Sequence, residues 1–359
     1  MHAFPNGMKK ILVIDFIYPL PENIGRSMRT MNFVRFFRKY GSVDLLYFYR
    51  NPMEDFDANA FQTEYFIPHP STAGYTETKW HQAVIGRCRR LLEGKPWIIA
   101  EWSPKSLRKY VSIVANGNYD IIFCRYIHET RPLLLLPENL KKRVIVDFDD
   151  VLSESLYGFY GKYDAGVLSR IKDGIQKRFL VNYERKCLDF GASLFTNEFD
   201  REKVAGGNHR SNTFVVPNIH PHRMSMKDGL RCGHANRNVL LFIGTLNYGP
   251  NVEGLKWFVD TIFHPIRKAG GKIRLLVVGR QPAPEVRELC GASPDIELHP
   301  DVPDVMPFYE RCGMVVVPIL SGGGTRIKIL ESGIAGRPVF STPLGAHGLD
   351  AVDGRDLLL

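Results

Sequence analysis

Residues Met314–Leu344, MVVVPILSGGGTRIKILESGIAGRPVFSTPL, decide the fold. An apolar run, Val315–Pro318, is followed by the consecutive glycines Gly322–Gly324. Thr325, Arg326 and Lys328 come next, at the start of a helical pattern that carries Glu331. A Gly-Arg-Pro turn then opens a second apolar run, Pro338–Thr342. Strand, glycine loop, helix and strand in that order make a βαβ unit. A glycine loop opening a helix presents unpaired backbone N–H groups and the positive end of the helix dipole, an arrangement suited to phosphate. Arg326 and Lys328 add charge there, at a helix end that by itself favours acids.

The same alternation extends upstream. Val239–Ile243 reads as a strand, Gly244–Pro250 as a loop, and Asn251–Lys268 as a helix with Leu255, Phe258, Val259 and Ile262 as its apolar positions. Lys272–Gly279 is a strand followed by Arg280, Ile296–His299 a short strand, and Val302–Arg311 a short helix. Before this half lies His220–Asn238, rich in His, Arg, Asn and Gly, which reads as a linker.

A second set of strands precedes the linker. Lys9–Phe16 is almost continuously apolar, as in a parallel strand covered on both faces. A loop containing Gly25 leads to a helical pattern of Met28, Met31, Val34 and Phe37, and then to the strand Val43–Tyr49. Gly25 fits two readings, a ligand approaching the backbone or an ordinary turn. No G-x-G-x-x-G follows the strand, so the dinucleotide fingerprint is absent. Tyr119–Arg125 is a strand with Tyr126, His128 and Glu129 at its tip, and His128 sits where α/β folds bind ligands or simply in a loop. Arg143–Asp150 reads as a strand ending in acids, with alternation turning Asp147 and Asp149 to one side. These acids fit a metal-binding D-x-D, an acidic tip pointing into a cleft, or a helix N-cap ahead of Ser153 and Glu154. Residues 165–190 are helical, Ala192–Thr196 and Phe214–Pro217 are strands, and Asn197–Val204 is a helical turn. The expectation is an α/β chain of two facing Rossmann-like domains, 1–225 and 239–359 across a 226–238 linker. Their ligand cleft would lie at the carboxyl ends of the strands.

Composition narrows the function classes. The 359 residues are 44% hydrophobic and 24% charged, values of an ordinary globular protein. The six cysteines are widely spaced with no C-x-x-C, which reads as reduced structural thiols of a cytoplasmic protein. No apolar run approaches the roughly 20 residues of a membrane span. The net charge of +9 points to an acidic partner. The basic residues are dispersed and no nucleic-acid-binding module appears, so the expectation is no nucleic acid. Residues 79–110 concentrate eight basic residues against Glu93 and Glu101, with Trp80, Trp97 and Trp102 interleaved. This segment fits either contact with an anionic membrane face or a helix packed on the core.

The chain also resembles a known family. FIGTLNYGPNVEGLKWF (242–258), LLVVG (275–279), VVPNI (215–219) and VPILSGGGTRIKILESGIAGRPVFSTPLGAHGL (317–349) are similar, in order and spacing, to motifs of the group 1, or family 4, glycosyltransferases. The resemblance covers nearly all of the second domain. In the first it rests on the Gly25 loop, DFDD (147–150) and TNEFDRE (196–202). It implies the GT-B architecture and transfer of a sugar, with retention, from a nucleotide-diphosphate sugar to a polysaccharide or lipid-linked acceptor. It implies no metal and no separate cofactor. Glu331 would bind the ribose hydroxyls. Arg326 and Lys328 would hold the diphosphate and stabilise its departure, with the amides of Gly323, Gly324 and Thr325. Gly244 and Thr245 would border the phosphates, Gly279 and Arg280 the base, and Gly25 would approach the donor from the first domain. Asp150 and His128 are the first-domain candidates for contacting sugar or acceptor. A cytoplasmic protein, peripheral at the inner face of the membrane through 79–110, is the implied location.

The sequence departs from the family pattern in three places. Many relatives carry a glutamate eight residues before Glu331, where this chain has Gly323. The Gly244 loop holds Asn247 and Tyr248 where some relatives have a basic residue. Relatives usually continue with helices beyond the point where this sequence stops, so the second domain is expected to lack them. These departures favour, as the alternative reading, a nucleotide-binding partner without turnover.

Overall fold

The computed structural model describes residues 7–22, 25–49, 60–69, 89–157, 167–206, 210–219, 236–322 and 326–359. Two compact units are present, the bulk of the first ending at Asn218 and of the second beginning at Ile219. Each is built on one parallel sheet.

In the first unit the sheet has seven strands: β1 (Lys9–Ile17), β2 (Gly41–Tyr49), β3 (Glu64–Phe66), β4 (Ile121–Arg125), β5 (Val144–Asp147), β6 (Ala192–Phe195) and β7 (Thr213–Val215). Their order is β3-β2-β1-β4-β5-β6-β7. Central β1 buries Ile11, Leu12, Val13 and Ile14 completely, which is why KKILVIDFI shows no polar alternation. The expected helix after it is α1 (Gly25–Phe37), which buries Met31, Val34 and Phe37. β3, whose surroundings are apolar only at Tyr65–Ile67, is an edge strand paired with β2 alone. α2 (Pro104–Asn116) is capped by the Ser103 hydroxyl, which accepts from Ser106 N at 3.1 Å. α3 (Val167–Cys187) is the expected long helix, and α4 (Glu198–Ala205) starts at Asn197, whose side chain accepts from Asp200 N.

The second unit has five parallel strands: β8 (Asn236–Ile243), β9 (Arg274–Gly279), β10 (Ile296–Pro300), β11 (Cys312–Val317) and β12 (Val339–Ser341), in the order β10-β9-β8-β11-β12. Helix α5 (Gly249–Phe258) continues through a π turn, Val259–Phe263, into α6 (His264–Lys268). α7 (Pro284–Gly291), which the sequence reading left without an element, precedes β10, and α8 (Met306–Arg311) precedes β11. α9 (Ile327–Ile334) is the helix of the opening stretch.

Both sheets run outward from a central strand in two directions, so each has a topological switch point where ligands bind in such folds. In the first unit it lies between the carboxyl ends of β1 and β4, and in the second between those of β8 and β11. Among the described residues, no helix is long and apolar enough to cross a membrane.

Candidate functional site

The second switch point is built by the loops after β8 and β11 and the start of α9. Three close approaches at glycines define it. A Cβ on Gly279 would collide with the carbonyl oxygen of Gly244, so the ends of β8 and β9 approach this closely only because residue 279 is glycine. A Cβ on Gly254 would collide with the Pro318 carbonyl, which lets α5 lie directly against the end of β11. A Cβ on Gly244 would stand 2.7 Å from Nδ2 of Asn251. The empty space at Gly244 therefore seats the Asn251 side chain.

Asn251 joins the two loops. Its Nδ2 donates to the Thr245 carbonyl at 2.9 Å, and its Oδ1 accepts from Lys328 Nζ at 3.0 Å. The ammonium of Lys328 also stands 5.1 Å from the Phe242 ring centroid. Burial pulls the Lys328 pKa down to about 7, and the neighbouring Arg326 pushes the same way against the opposing Glu331. Arg326 is the N-cap residue of α9, and its Nη2 donates to the Gly322 carbonyl at 2.9 Å. Gly322 has φ +88°, a left-handed conformation that a side chain would strain.

Glu331 faces inward. It is 9% exposed, and its Oε2 accepts from the fully buried Tyr309 hydroxyl at 2.7 Å. The same hydroxyl lies 3.4 Å from the Lys328 carbonyl. Glu331 and Lys328 are one turn apart on α9, so the helix alone sets their separation. Of the expected donor-site residues, the structure brings together Gly244, Thr245 and Lys328 through Asn251, and Glu331 with Lys328 through α9. Gly279 packs beneath Gly244, and the Arg280 carbonyl accepts from Leu246 N. Gly323, Gly324 and Thr325 lie outside the described residues.

Asn251 and Tyr309 were not singled out from the sequence. Asn251 sits next to the Gly-Pro start of α5, so an inward-turned polar residue one position on was the available signal. Tyr309 lies 22 residues before Glu331, and nothing in its own neighbourhood marks it.

The first switch point is different. The sequence pattern predicts a strand through Asp150 with Asp147 and Asp149 on one side. The observed β5 ends at Asp147, and Asp149 has φ +43°. The acids are enclosed by arginines. Arg29 holds Asp147 with Nη2 at 2.7 Å and Nε at 2.9 Å. Arg125 bridges Asp147 and Asp149, the latter at 3.0 Å. Arg26 and the Thr30 hydroxyl both donate to Asp15, each at 2.6 Å. Tyr126 donates its hydroxyl to Asp149 and lies under the Arg26 guanidinium, 4.1 Å from its ring centroid. Its backbone is strained, with φ 64° and ψ 149°. Burial opposes ionisation of Asp149, but Arg125 and Arg29 with the Tyr126 hydrogen bond outweigh it and hold the carboxyl below its usual range.

His128 is half-buried in the short 3-10 turn Ile127–Glu129, and burial pushes its pKa down to about 3, so the ring is neutral. Asp150 lies just beyond the ion cluster and is half-exposed. Gly25 is the first residue of α1. Among the described residues, no three His, Cys, Asp or Glu side chains form a metal-ligating group.

Of segment 79–110, residues 79–88 lie outside the described residues. Trp102 belongs to the core, packed on Phe48 and Tyr110, whereas Leu92 is 89% exposed.

Comparison with known proteins agrees with this architecture. Residues 237–359 match the family model Glycosyl transferases group 1. A curated relative, an uncharacterized protein in the cps region of Klebsiella pneumoniae, is 21% identical over 266 residues. That match takes in 71% of this chain and 65% of the relative's length, so the chain spans less than two thirds of it. Among solved structures, HepE from Anabaena in complex with UDP and glucose superposes with TM-score 0.59 at 13% identity, over 98% of this chain and 85% of that one. TarM gives TM-score 0.63 at 10% identity, over 99% and 89%. A trehalose-6-phosphate protein from E. coli, bound with UDP-2-fluoro glucose, gives 0.57 at 9% over 93% and 84%. The chain thus has the two-unit α/β fold of the GT-B glycosyltransferases.

Proposed function

We propose that the protein is a retaining glycosyltransferase that moves a sugar from a nucleotide-diphosphate sugar to a glycan or lipid-linked acceptor. The observation that carries this reading is the Lys328–Asn251–Thr245 bridge beside buried Glu331. It places a cation and a carboxylate one helical turn apart at the switch point of a unit matching group 1 glycosyltransferases. Uridine diphosphate is the first nucleotide to try, since HepE and the trehalose-6-phosphate protein were solved with uridine nucleotides.

In this reading Glu331 accepts from the ribose hydroxyls through its second oxygen while Tyr309 holds the first. Lys328 and Arg326 grip the diphosphate, together with the amides of residues 323–325. As the sugar–phosphate bond breaks, negative charge grows on the leaving phosphate, and these cations offset it without a metal. The acceptor oxygen bonds to the anomeric carbon on the same face. Its proton passes to the departing phosphate oxygen, so no protein nucleophile and no separate cofactor is needed. Asp150 and His128 contact sugar or acceptor, and Gly25, Gly244, Gly279 and Arg280 border the donor. The location is cytoplasmic, at the inner face of a membrane.

Uridine diphosphate at about 100 times its dissociation constant stabilises the protein by about 2.7 kcal/mol, a thermal shift that Lys328→Ala and Glu331→Ala abolish. Full donor turnover in both variants overturns the site. Gly323, where many relatives have glutamate, supports a second reading of nucleotide binding without turnover. Tight binding with no sugar released during long incubation with varied acceptors selects that one.

A further inference from the structure

A cavity of about 320 Å³ lies in the first unit, and its lining shares no residue with the Asp15, Asp147 and Asp149 ion cluster. Residues 90–99, the 3-10 turn Arg131–Leu135 and the second half of α3 line it. Its wall carries the cations Arg90, Lys95, Arg131 and Lys186. Two carboxylates answer them. Glu93 pairs with Lys95, while Glu101 stands 3.8 Å from Arg90 and 3.6 Å from Arg131. Four cations against two acids leave the cavity positive. The Arg90 guanidinium donates to the Pro96 and Ile99 carbonyls, yet its Nε is buried without a hydrogen-bond partner. Burial and the nearby Arg131 both work against the Arg90 charge, with the two acids opposing them.

The rest of the wall is apolar, with Ile99, Leu134, Leu135 and Phe179. The segments that form it also hold large side chains in water: Leu92 is 89% exposed, Leu135 62% and Ile98 40%. Cationic groups in a partly apolar wall, beside exposed apolar side chains, match an anion attached to a greasy chain. A free inorganic anion would not use the leucines, and an apolar ligand would not use the cations.

We propose that this cavity binds the phosphate end of a phosphate-bearing lipid, with Leu92, Ile98 and Leu135 meeting its acyl region. The inference deepens the lipid-linked acceptor reading. It needs none of the donor residues, so uridine diphosphate binding, measured on the same variants, separates failure of one from failure of the other.

The test is co-sedimentation with phosphatidylcholine vesicles, with and without phosphatidic acid. Wild type binds the phosphatidic acid vesicles. Arg131→Gln combined with Lys186→Gln weakens that binding about thirtyfold, as expected for two cations near an anionic surface. A control pair on the exposed face of α2, Lys105→Gln with Arg108→Gln, leaves it unchanged. Equal loss in both pairs, or no loss in the first, overturns the proposal. A thermal shift with inorganic phosphate but no binding to vesicles also overturns it, by making the site one for free anions. If the double variant does not fold, the single change Lys95→Gln carries the same comparison with about fivefold weakening.

Discussion

The two switch points share a topology and use charge in opposite ways. In the first unit Arg26, Arg29 and Arg125 meet Asp15, Asp147 and Asp149, and every one of these groups is paired inside the cluster. In the second unit Arg326 and Lys328 stand on one helix end with Glu331, and Lys328 leans on a neutral amide rather than a carboxylate. A closed cluster fixes backbone geometry, here the strained Tyr126 at the end of β4. An excess of positive charge held by neutral groups fits the anion seat proposed for the second unit. On the proposed reading, the balance of charge, and not the number of titratable residues, sets the donor site apart.

The largest test removes one partner of the closed cluster. Arg125→Leu leaves Asp147 buried beside Arg29 alone and costs about 3–5 kcal/mol in urea unfolding. A variant as stable as wild type breaks the comparison. Next, Lys328→Ala lowers donor turnover about 10²–10³-fold, by loss of charge stabilisation, while leaving the unfolding midpoint unchanged or higher. A large stability loss there would mean that Lys328 is structural in the way Arg125 is. Tyr309→Phe removes the donor to buried Glu331 and costs about 1–3 kcal/mol in the same unfolding experiment. Loss of uridine diphosphate affinity should accompany it.

The smallest effect is in pH. The Lys328 pKa is about 7 in the folded protein against about 10.4 unfolded, so the unfolded chain binds the extra proton between these values. Stability therefore rises with pH across that window. A bound diphosphate favours the charged amine, so above pH 7 binding takes up a proton and affinity falls as pH rises. Calorimetry in two buffers of different ionisation enthalpy reads that uptake. Asn251→Asp, by giving Lys328 a carboxylate, should move the whole profile to higher pH.

Much of this was legible in the chain. The apolar runs gave both sheets, because strands buried on both faces leave no room for polar residues. The glycine loop next to Arg326 and Lys328 located the second switch point, because its geometry is local. The arginine partners at the first switch point were not legible because its chemistry is distant. Arg29 and Asp147 are separated by 118 positions, and nothing near Asp147 announces an arginine brought from α1. The same holds for Tyr309 and Glu331, joined only in the folded unit by a hydrogen bond between α8 and α9. Local sequence reports periodicity and turns well, but it reports the partner of a buried charge only when that partner is near in the chain.

The central place of β1 has a consequence for synthesis. Ile11 pairs with Val43 on one side and with Ile121 on the other. During translation β1 and β2 emerge early, while β4, which covers the other edge of β1, follows more than a hundred residues later. At about 5–20 residues per second that interval lasts on the order of 5–20 s. Throughout it this central strand has an open edge, a template for pairing with a neighbouring chain. The nascent protein should therefore depend on holdase chaperones most strongly before residue 125 has left the ribosome. Slowing elongation within residues 50–120 should lower soluble yield more than slowing it anywhere in the second unit.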